Sequence, residues 1–409
     1  MKHKRFFALI LAFLLLFALV SCQTPETTTN PPSPLPPSAT PDEIAALKAD
    51  SLTTLTCLYA ASSDSRYTAD SIWIDDTKEE LLSYESAMID RFAKLTDALN
   101  VKLEPLPIED GIDSFWVHTA LLLDSQDSTI DIIVRPQSFV MPDEMERYFA
   151  KQNTISTESG SVILGDVMRA DAYSVFGSFS LTALSEPLAL YLNESLLPDD
   201  SDLLEGLPAL IQSGKFTFEE FLKIAKAPLP DGTLPLVSEK GMLEAYLTIA
   251  FSAKTSDDTA VQNAVATLER ENLVSYDGDP IEAFLQNRAL FLFAPIGSLG
   301  IGRPLRAAWD TTIALPLPKV NASDFYHTCY SERLDLYSIS KYSSHQVLAA
   351  ATLAYLDNIN DSALFDAYYR DLYACRCDCI RSEIWEETVK VYENDMIFRL
   401  FALDKVEKG

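Results

Sequence analysis

The feature that most constrains the fold of this chain is an alternation of strand-like and helix-like segments after residue 50. Short apolar runs predict strands, and apolar residues three or four positions apart predict amphipathic helices, as for Met88, Phe92 and Leu95. The predicted order is strand 52–60, helix 83–99, strand 101–108, helix 113–123 and strand 130–134. A βαβαβ order of this kind predicts an α/β fold with a mostly parallel sheet that helices cover.

Two pairs of polar residues follow predicted strands of this sheet. Ser62 and Ser63 follow the first strand, and Gln137 and Ser138 follow the third. Ligands of open α/β sheets bind beyond the carboxyl ends of the strands, so these four side chains are candidates for binding a ligand. Ordinary loop polarity explains each of them equally well, and the sequence leaves both interpretations open.

The chain from about residue 151 to residue 325 forms a second region. Gly214 marks the end of one helix, and residues 217–220 (TFEE) have the capping-box spacing that starts the next. Strands are predicted at 188–192, 289–293 and 313–317. After Tyr326 the pattern becomes mainly helical. The length of the chain and this change of character predict more than one domain.

The N-terminus has the pattern of an export signal that ends in a lipid-modified cysteine. Three basic residues precede an apolar stretch at 6–20, and the small residue Ser21 precedes Cys22. This pattern resembles a bacterial lipobox, so we expect residues 1–21 to be a signal peptide and Cys22 to carry the lipid. The alternative is an uncleaved anchor, but the apolar stretch is shorter than the roughly 20 residues that span a bilayer. Residues 22–45, rich in Pro, Thr and Ser, predict an extended tether.

The charge of the chain excludes some classes of partner. It contains 32 Lys and Arg against 60 Asp and Glu, and loss of Lys2, Lys4 and Arg5 with the signal lowers the formal charge from −28 to −31. Nucleic acid and anionic lipid attract clustered basic residues, so neither is expected to bind the body of this protein. With 13 glycines and neither a Walker motif nor GxGxxG, the sequence also argues against a phosphate-binding loop.

Four short motifs resemble, in their order, those of a known family. They are residues 190–197 (LYLNESLL), 214–221 (GKFTFEEF), 284–291 (FLQNRALF) and 313–319 (IALPLPK). Their order and spacing are similar to those of the extracellular solute-binding proteins of ABC importers, in particular the family 1 members that take carbohydrates. One departure is Phe216, which stands where the family often has Trp.

The resemblance implies a two-lobe periplasmic-binding-protein-like (type II) fold, with a hinge and a cleft that closes on a small solute. It implies a non-enzymatic receptor without cofactor or metal, anchored outside the cell, that delivers a sugar or oligosaccharide to an ABC permease. By analogy, lobe 1 comprises residues 46–150 and 326–365, and lobe 2 comprises residues 151–325 and 366–409. The alternative is a surface lipoprotein of the same fold with an adhesive or sensing role.

Aromatic side chains that stack on a sugar ring form a second set of candidates. Trp73 and Trp309 lie in predicted loops, while Tyr326 and Tyr330 border the predicted return to lobe 1. Packing in a core is the simpler explanation for each of them. Members of the family often carry a Trp just after a strand of lobe 2, where this chain has Ala-Pro-Ile at 294–296, and this departure argues against a sugar.

The cysteines raise the alternative of a metal-binding or redox protein. Besides Cys22, the chain contains Cys57, Cys329, Cys375, Cys377 and Cys379. The three alternating thiols suit a soft metal ion or a disulfide in an exported protein. If residues 363–379 form one helix, however, the first and last of these thiols share a face and the middle one points elsewhere. Buried free thiols are the simpler interpretation.

A hydrolase is the enzymatic alternative. Adjacent carboxylates such as Asp75 and Asp76 are expected in so acidic a chain and are typical of a solvated face. His327 and Cys329 suggest a base and a nucleophile, but residues two positions apart seldom reach each other, and no third group orients them. We therefore expect no enzymatic activity.

Overall fold

The computed structural model describes residues 37–60, 80–108, 112–138, 145–198, 202–253, 256, 258–300, 303–359, 362–373 and 379–399. Contacts divide the chain into two units, Met1–Pro37 and Ser38–Gly409, and every element below belongs to the second. The predicted signal peptide, the predicted lipidation site Cys22 and most of the predicted tether lie outside the described residues. None of the helices in the described ranges has the length and apolar character needed to cross a bilayer.

Up to residue 185 the chain alternates between strands and helices, as predicted. The elements are α1 (Pro41–Ala45), β1 (Thr53–Ala60), α2 (Ser83–Leu99), β2 (Val101–Ile108), α3 (Ile112–Asp124), β3 (Ile130–Pro136), α4 (Met145–Tyr148), β4 (Ser174–Val175) and α5 (Leu181–Ser185), with a 3₁₀ turn at Gln152–Thr154. Helix α2 buries Met88 and Leu95, and it ends at Asn100 in the left-handed conformation (φ 55°). The predicted alternation is thereby confirmed for this part of the chain.

The second region begins with a fully buried strand. Its elements are β5 (Leu188–Asn193), α6 (Leu203–Gln212), α7 (Phe218–Ala225), β6 (Leu234–Val237), α8 (Lys240–Ala250), α9 (Thr259–Arg270), β7 (Val274–Ser275), α10 (Pro280–Leu285), β8 (Ala289–Pro295) and β9 (Thr312–Leu315), with 3₁₀ turns at Glu194–Leu196, Ile296–Leu299 and Pro304–Ala308. The predicted helix signals are confirmed. Gly214 follows α6 with a φ of 66°, and the Thr217 hydroxyl caps α7 by accepting from the Glu220 N–H over 3.4 Å.

The last part of the chain is only partly helical. It contains β10 (Tyr326–Cys329), β11 (Asp335–Ile339), α11 (Gln346–Asn358), α12 (Ser362–Tyr373), α13 (Cys379–Lys390), a π-helical turn at Val391–Asp395 and β12 (Met396–Arg399). The mainly helical prediction therefore missed three strands. All three pair with partners far away in the sequence, which a local pattern does not reveal. Of the segment 363–379 that the single-helix assumption covers, the structure describes the part in α12 and Cys379 at the start of α13, and residues 374–378 lie outside the described residues.

Two five-stranded sheets organise these elements. The first has the order β2-β1-β3-β11-β4, and the second has the order β7-β6-β8-β5-β9. In the first sheet, β1 pairs in parallel with β2 and β3, whereas β11 runs antiparallel to β3 and β4. The first sheet is therefore mixed rather than mostly parallel, because β11 returns from the far end of the chain. In the second sheet, β6 is parallel to β7 and β8, and β5 is antiparallel to β8 and β9.

Each sheet has its own apolar core. Leu55, Ile132 and Ile339 belong to the first core, together with the buried face of α11. Strands β5, β8 and β9 supply the second core, which helices α6 to α9 cover. A further cluster packs Met88 of α2 against Tyr368 of α12. The sequence thus folds into two α/β lobes, each built on its own sheet and core, with a further apolar cluster that includes residues of α2 and of the second sheet, in agreement with the predicted fold class.

Candidate functional site

The carboxyl ends of parallel strands in both sheets lie where the chain passes from one sheet to the other. In the first sheet, Pro136 at the end of β3 lies opposite Asp335 at the start of β11. In the second sheet, Pro295 at the end of β8 lies opposite Leu188 at the start of β5. Ligands of open α/β sheets bind at such edges. We call residues 186–188 and 328–335 the crossing segments.

The crossing segments are hydrogen-bonded to each other. The N–H of Ser331 donates to the carbonyl of Glu186 over 2.9 Å, and the hydroxyl of Thr328 donates to the carbonyl of Leu188 over 2.8 Å. Pro187 also forms an antiparallel bridge with Tyr330. When two short paired segments connect two lobes, changes in a few backbone dihedrals of those segments can move one lobe relative to the other as a hinge.

A pocket lies against the crossing segments and the carboxyl ends of β6 and β8. The pocket spans about 700 Å³, a volume that includes space open to solvent. The crossing segments contribute Glu186, Ser331, Glu332 and Arg333. The second sheet and its loops contribute the rest of the described lining, including Phe293, Glu239 before α8, and Arg303. This is the edge of the second sheet at which the strand order predicts a ligand.

Glu186 is the most enclosed charged residue of the pocket, with 4% exposure. Its Oε1 atom accepts a hydrogen bond from the Ser185 hydroxyl over 3.2 Å, and its Oε2 atom accepts one from the Ser331 hydroxyl. The carboxylate therefore links the two crossing segments through side chains as well as through the backbone.

The turn after β8 forms a fixed wall of the pocket. The Tyr191 hydroxyl lies 2.8 Å from the carbonyl oxygens of both Pro295 and Ile296, so the two share its single hydrogen. Burial is the largest cause that raises the pKa of Tyr191, so this phenol remains a donor. A Cβ at Gly297 would lie 2.6 Å from the Cβ of Ser185, so only glycine allows this close approach.

Two of the polar residues predicted from strand ends lie beside the crossing segments. The N–H of Gln137 donates to the Leu334 carbonyl over 2.7 Å, and the N–H of Ser138 donates to the Glu332 carbonyl over 2.8 Å. These bonds join the end of β3 to a segment that lines the pocket. Ligand contact by Gln137 and Ser138 stays a prediction. Outside the described residues lie Ser62, Ser63 and Trp73.

The remaining aromatic candidates pack against the protein itself. Trp309 is half-buried, and its ring packs against the second region of the chain. Tyr326 is buried, and its hydroxyl donates to the Ile211 carbonyl over 3.2 Å. Tyr330 is buried with its ring centroid 5.5 Å from that of Phe176. Their contact with a ligand also stays a prediction.

The two described thiols are unsuited to nucleophilic chemistry. Cys57 and Cys329 are buried and free. Burial raises the pKa of both, that of Cys329 to about 12, so they stay protonated at neutral pH. Within the described ranges, no group of three His, Cys, Asp or Glu side chains is placed to hold a metal ion. The metal hypothesis otherwise concerns Cys375, Cys377 and Cys379, whose side chains lie outside the described part of the chain.

Sequence reasoning missed the charged residues of the pocket. Glu186, Arg303 and Arg333 lie in connections between predicted elements, and the abundance of acidic residues made any single carboxylate unremarkable. One signal was present, because Glu186 and Pro187 directly precede the predicted strand at 188–192. A charged residue immediately before a buried strand lies at the edge of a sheet.

Comparison with solved structures identifies the architecture. A sugar transporter from Rhizobium etli, in an open conformation, matches with a TM-score of 0.53 at 12% identity over 87% of this chain and 91% of that chain. The chain has the two-lobe fold of periplasmic binding proteins. Two further matches have TM-scores of 0.49 at 12% identity. They are PBP AttC from Agrobacterium tumefaciens in an open unliganded conformation, over 85% of this chain and 93% of that one, and the bacterial solute receptor AcbH, described as exclusive for β-D-galactopyranose, over 88% and 89%.

No protein-family model matches this chain. Among curated proteins, likewise, none matches.

Proposed function

We propose that this protein is an extracytoplasmic receptor that binds a small carbohydrate in the pocket and passes it, unaltered, to an ABC import permease. The observation that carries the proposal is that the pocket is lined by both crossing segments. A change in the hinge would therefore reshape the pocket directly, and a bound solute would favour the lobe arrangement in which it has most contacts.

The chemistry of the pocket supports a polar solute. The lining combines hydroxyl and charged groups, from Glu186, Ser298 and Ser331, with the apolar side chain of Phe293. Such a mixture supplies hydrogen bonds that replace those of water and an apolar surface for the body of the ligand. The Rhizobium etli protein of similar fold is a sugar transporter, which supports a carbohydrate as the solute here.

The anchor and the lobe limits are part of the same proposal. Cys22 carries the lipid, the segment between Cys22 and Ser38 holds the protein away from the membrane, and the permease receives the solute. For the lobes, the order of strands in the two sheets favours residue boundaries that differ from those given by analogy with the family. Residues 38–185 and 335–359 would form lobe 1, because β4 and β11 belong to the first sheet.

Calorimetric and thermal-shift titration of the mature protein with neutral and amino sugars tests the function. At a hundredfold excess over Kd, a ligand of the native state stabilises it by about 2.7 kcal/mol. Arg333→Ala, which alters the pocket, should abolish the shift, and Arg270→Ala, at the exposed end of α9, should not. Absence of binding across the panel, or conversion of a bound sugar to product, would contradict the proposal.

A further inference from the structure

The Glu186 carboxylate is an unusual feature of a pocket for a neutral solute. The residue is 4% exposed, and its two oxygens accept from the hydroxyls of Ser185 and Ser331. Within the described part of the chain it forms no ion pair with a lysine or arginine. A buried carboxylate is costly unless it is both hydrogen-bonded and paired with a cation, and the residues that the structure describes supply only the hydrogen bonds.

The surroundings of Glu186 enclose its charge. Tyr191 and Tyr368 are both buried beside it, and burial is the main cause that raises the pKa of each phenol. The negative charge of Glu186 adds to the rise at both, whereas the positive charge of Arg303 opposes it at Tyr368. The field of the carboxylate therefore acts on its neighbours with little screening by solvent. A cation that entered the pocket would meet the same unscreened field.

The other charged residues that line the pocket are more exposed to solvent than Glu186. Glu239 and Glu332 are exposed, and Arg303 and Arg333 are partly exposed. The described lining thus holds three carboxylates and two guanidinium groups, a formal excess of one negative charge. Its one aromatic side chain is Phe293, so among the described residues this wall offers charge rather than Trp or Tyr faces for stacking on a sugar.

We propose that the solute is an amino sugar whose protonated amine pairs with the carboxylate of Glu186. The Ser185 and Ser331 hydroxyls hold the two carboxylate oxygens from the protein side, and the ammonium group of the ligand completes the pairing from the pocket side. This inference rests on the proposed function and specifies its substrate class. Because Glu186 also joins the crossing segments, the bound amine would contact the hinge itself.

Matched sugars that differ at one position test the inference. Calorimetric titration of the mature protein would compare glucosamine and galactosamine, and their β-1,4-linked dimers, with the corresponding neutral and N-acetylated sugars. We expect at least one amine to bind roughly ten- to hundredfold more tightly than its neutral and N-acetylated counterparts, the range expected for a hydrogen bond between charged groups. Glu186→Gln keeps the shape of the side chain and should abolish this preference.

Glu205→Gln is the control, since it removes an exposed carboxylate on α6 that is not part of the described pocket lining, and it should change amine affinity less than about threefold. Neutral sugars that bind as tightly as amines, or an amine preference that survives in Glu186→Gln, would overturn the inference and leave the receptor function standing. If no sugar of any kind binds, the inference and the proposed function both fail. If Glu186→Gln does not fold, the relative affinities of the unsubstituted protein for amino, neutral and N-acetylated sugars still test the inference.

Discussion

At the scale of single residues, buried polar groups show what the sequence pattern alone does not reveal. Asp131 interrupts an otherwise apolar strand and is 1% exposed. Its Oδ1 atom accepts from the Ser343 hydroxyl over 2.5 Å, and its Oδ2 atom accepts from the Thr56 N–H over 2.9 Å. An aspartate in a buried strand is tolerated because its oxygens are satisfied by donors from two other segments.

The two buried thiols should be inert in the native protein. Burial raises the pKa of Cys57 and of Cys329, and alkylation requires the thiolate. We expect iodoacetamide at pH 8 to leave both unlabelled under native conditions and to label both in urea, as peptide mass spectrometry can show. Stoichiometric labelling of either residue in the folded protein would contradict their placement in the cores.

Glu43 should make stability depend on pH in acid. Hydrogen bonds from Ser159, and then from the Thr40 backbone and Ser161, lower its pKa from 4.5 to about 2. Because the folded-state pKa is the lower one, the contribution of the carboxylate is complete above about pH 4.5 and is lost as the pH falls towards 2. The difference in unfolding free energy between the parent and Glu43→Gln, from urea titrations, should shrink over that interval. If the difference in unfolding free energy grows as the pH falls, the sign of the effect is opposite and the prediction is wrong.

At the scale of elements, local signals fixed where helices begin and end. Gly214 and Thr217 lie between α6 and α7, one as a left-handed residue and the other as an N-cap. These signals depend on backbone geometry and on neighbours within four residues, so they are legible in the sequence. Strands β10, β11 and β12 were missed because they are short and their partners are distant.

Two glycine substitutions around α6 should have opposite effects. Gly214→Ala places a Cβ on a residue with φ 66° and within 2.9 Å of the Lys319 Nζ, and it should destabilise the protein by about 1–2 kcal/mol. Gly206→Ala lies inside α6 with no atom within 4 Å of the new Cβ, and it should stabilise by about 0.5–1 kcal/mol. Urea unfolding measures both. Equal effects would exclude a role for the left-handed backbone at Gly214.

At the scale of the whole molecule, Arg91 connects parts of the chain that are distant in sequence. It is 1% exposed and lies on α2. Its guanidinium donates to the Ser178 carbonyl over 2.6 Å and to the Leu356 carbonyl near the end of α11. Burial raises the pKa of Asp357, and the positive charge of Arg91 opposes part of that rise. Arg91 thereby joins the approach to the first crossing segment to the end of α11, after which the chain continues to α12.

Removal of this guanidinium should destabilise the whole fold. Arg91→Met keeps much of the apolar volume but leaves the buried Leu356 carbonyl and the Ser178 carbonyl without this donor, and we expect a loss of about 2–4 kcal/mol in unfolding free energy. Lys94→Met, an exposed position on the same helix, should change it by less than about 0.5 kcal/mol. Urea unfolding followed by circular dichroism gives both values. Similar losses for the two variants would exclude a special role for Arg91.

The sequence by itself determined the α/β class, the strands and helices of the first region, and the ends of α6 and α7. These features depend on periodicity and on contacts between near neighbours, which the order of residues encodes directly. Tertiary structure alone decided that β11 runs against β3, and that Glu186 and Ser331 meet at a pocket. Those contacts join residues more than a hundred positions apart, and which of many acidic side chains becomes buried is settled only when both sheets have formed.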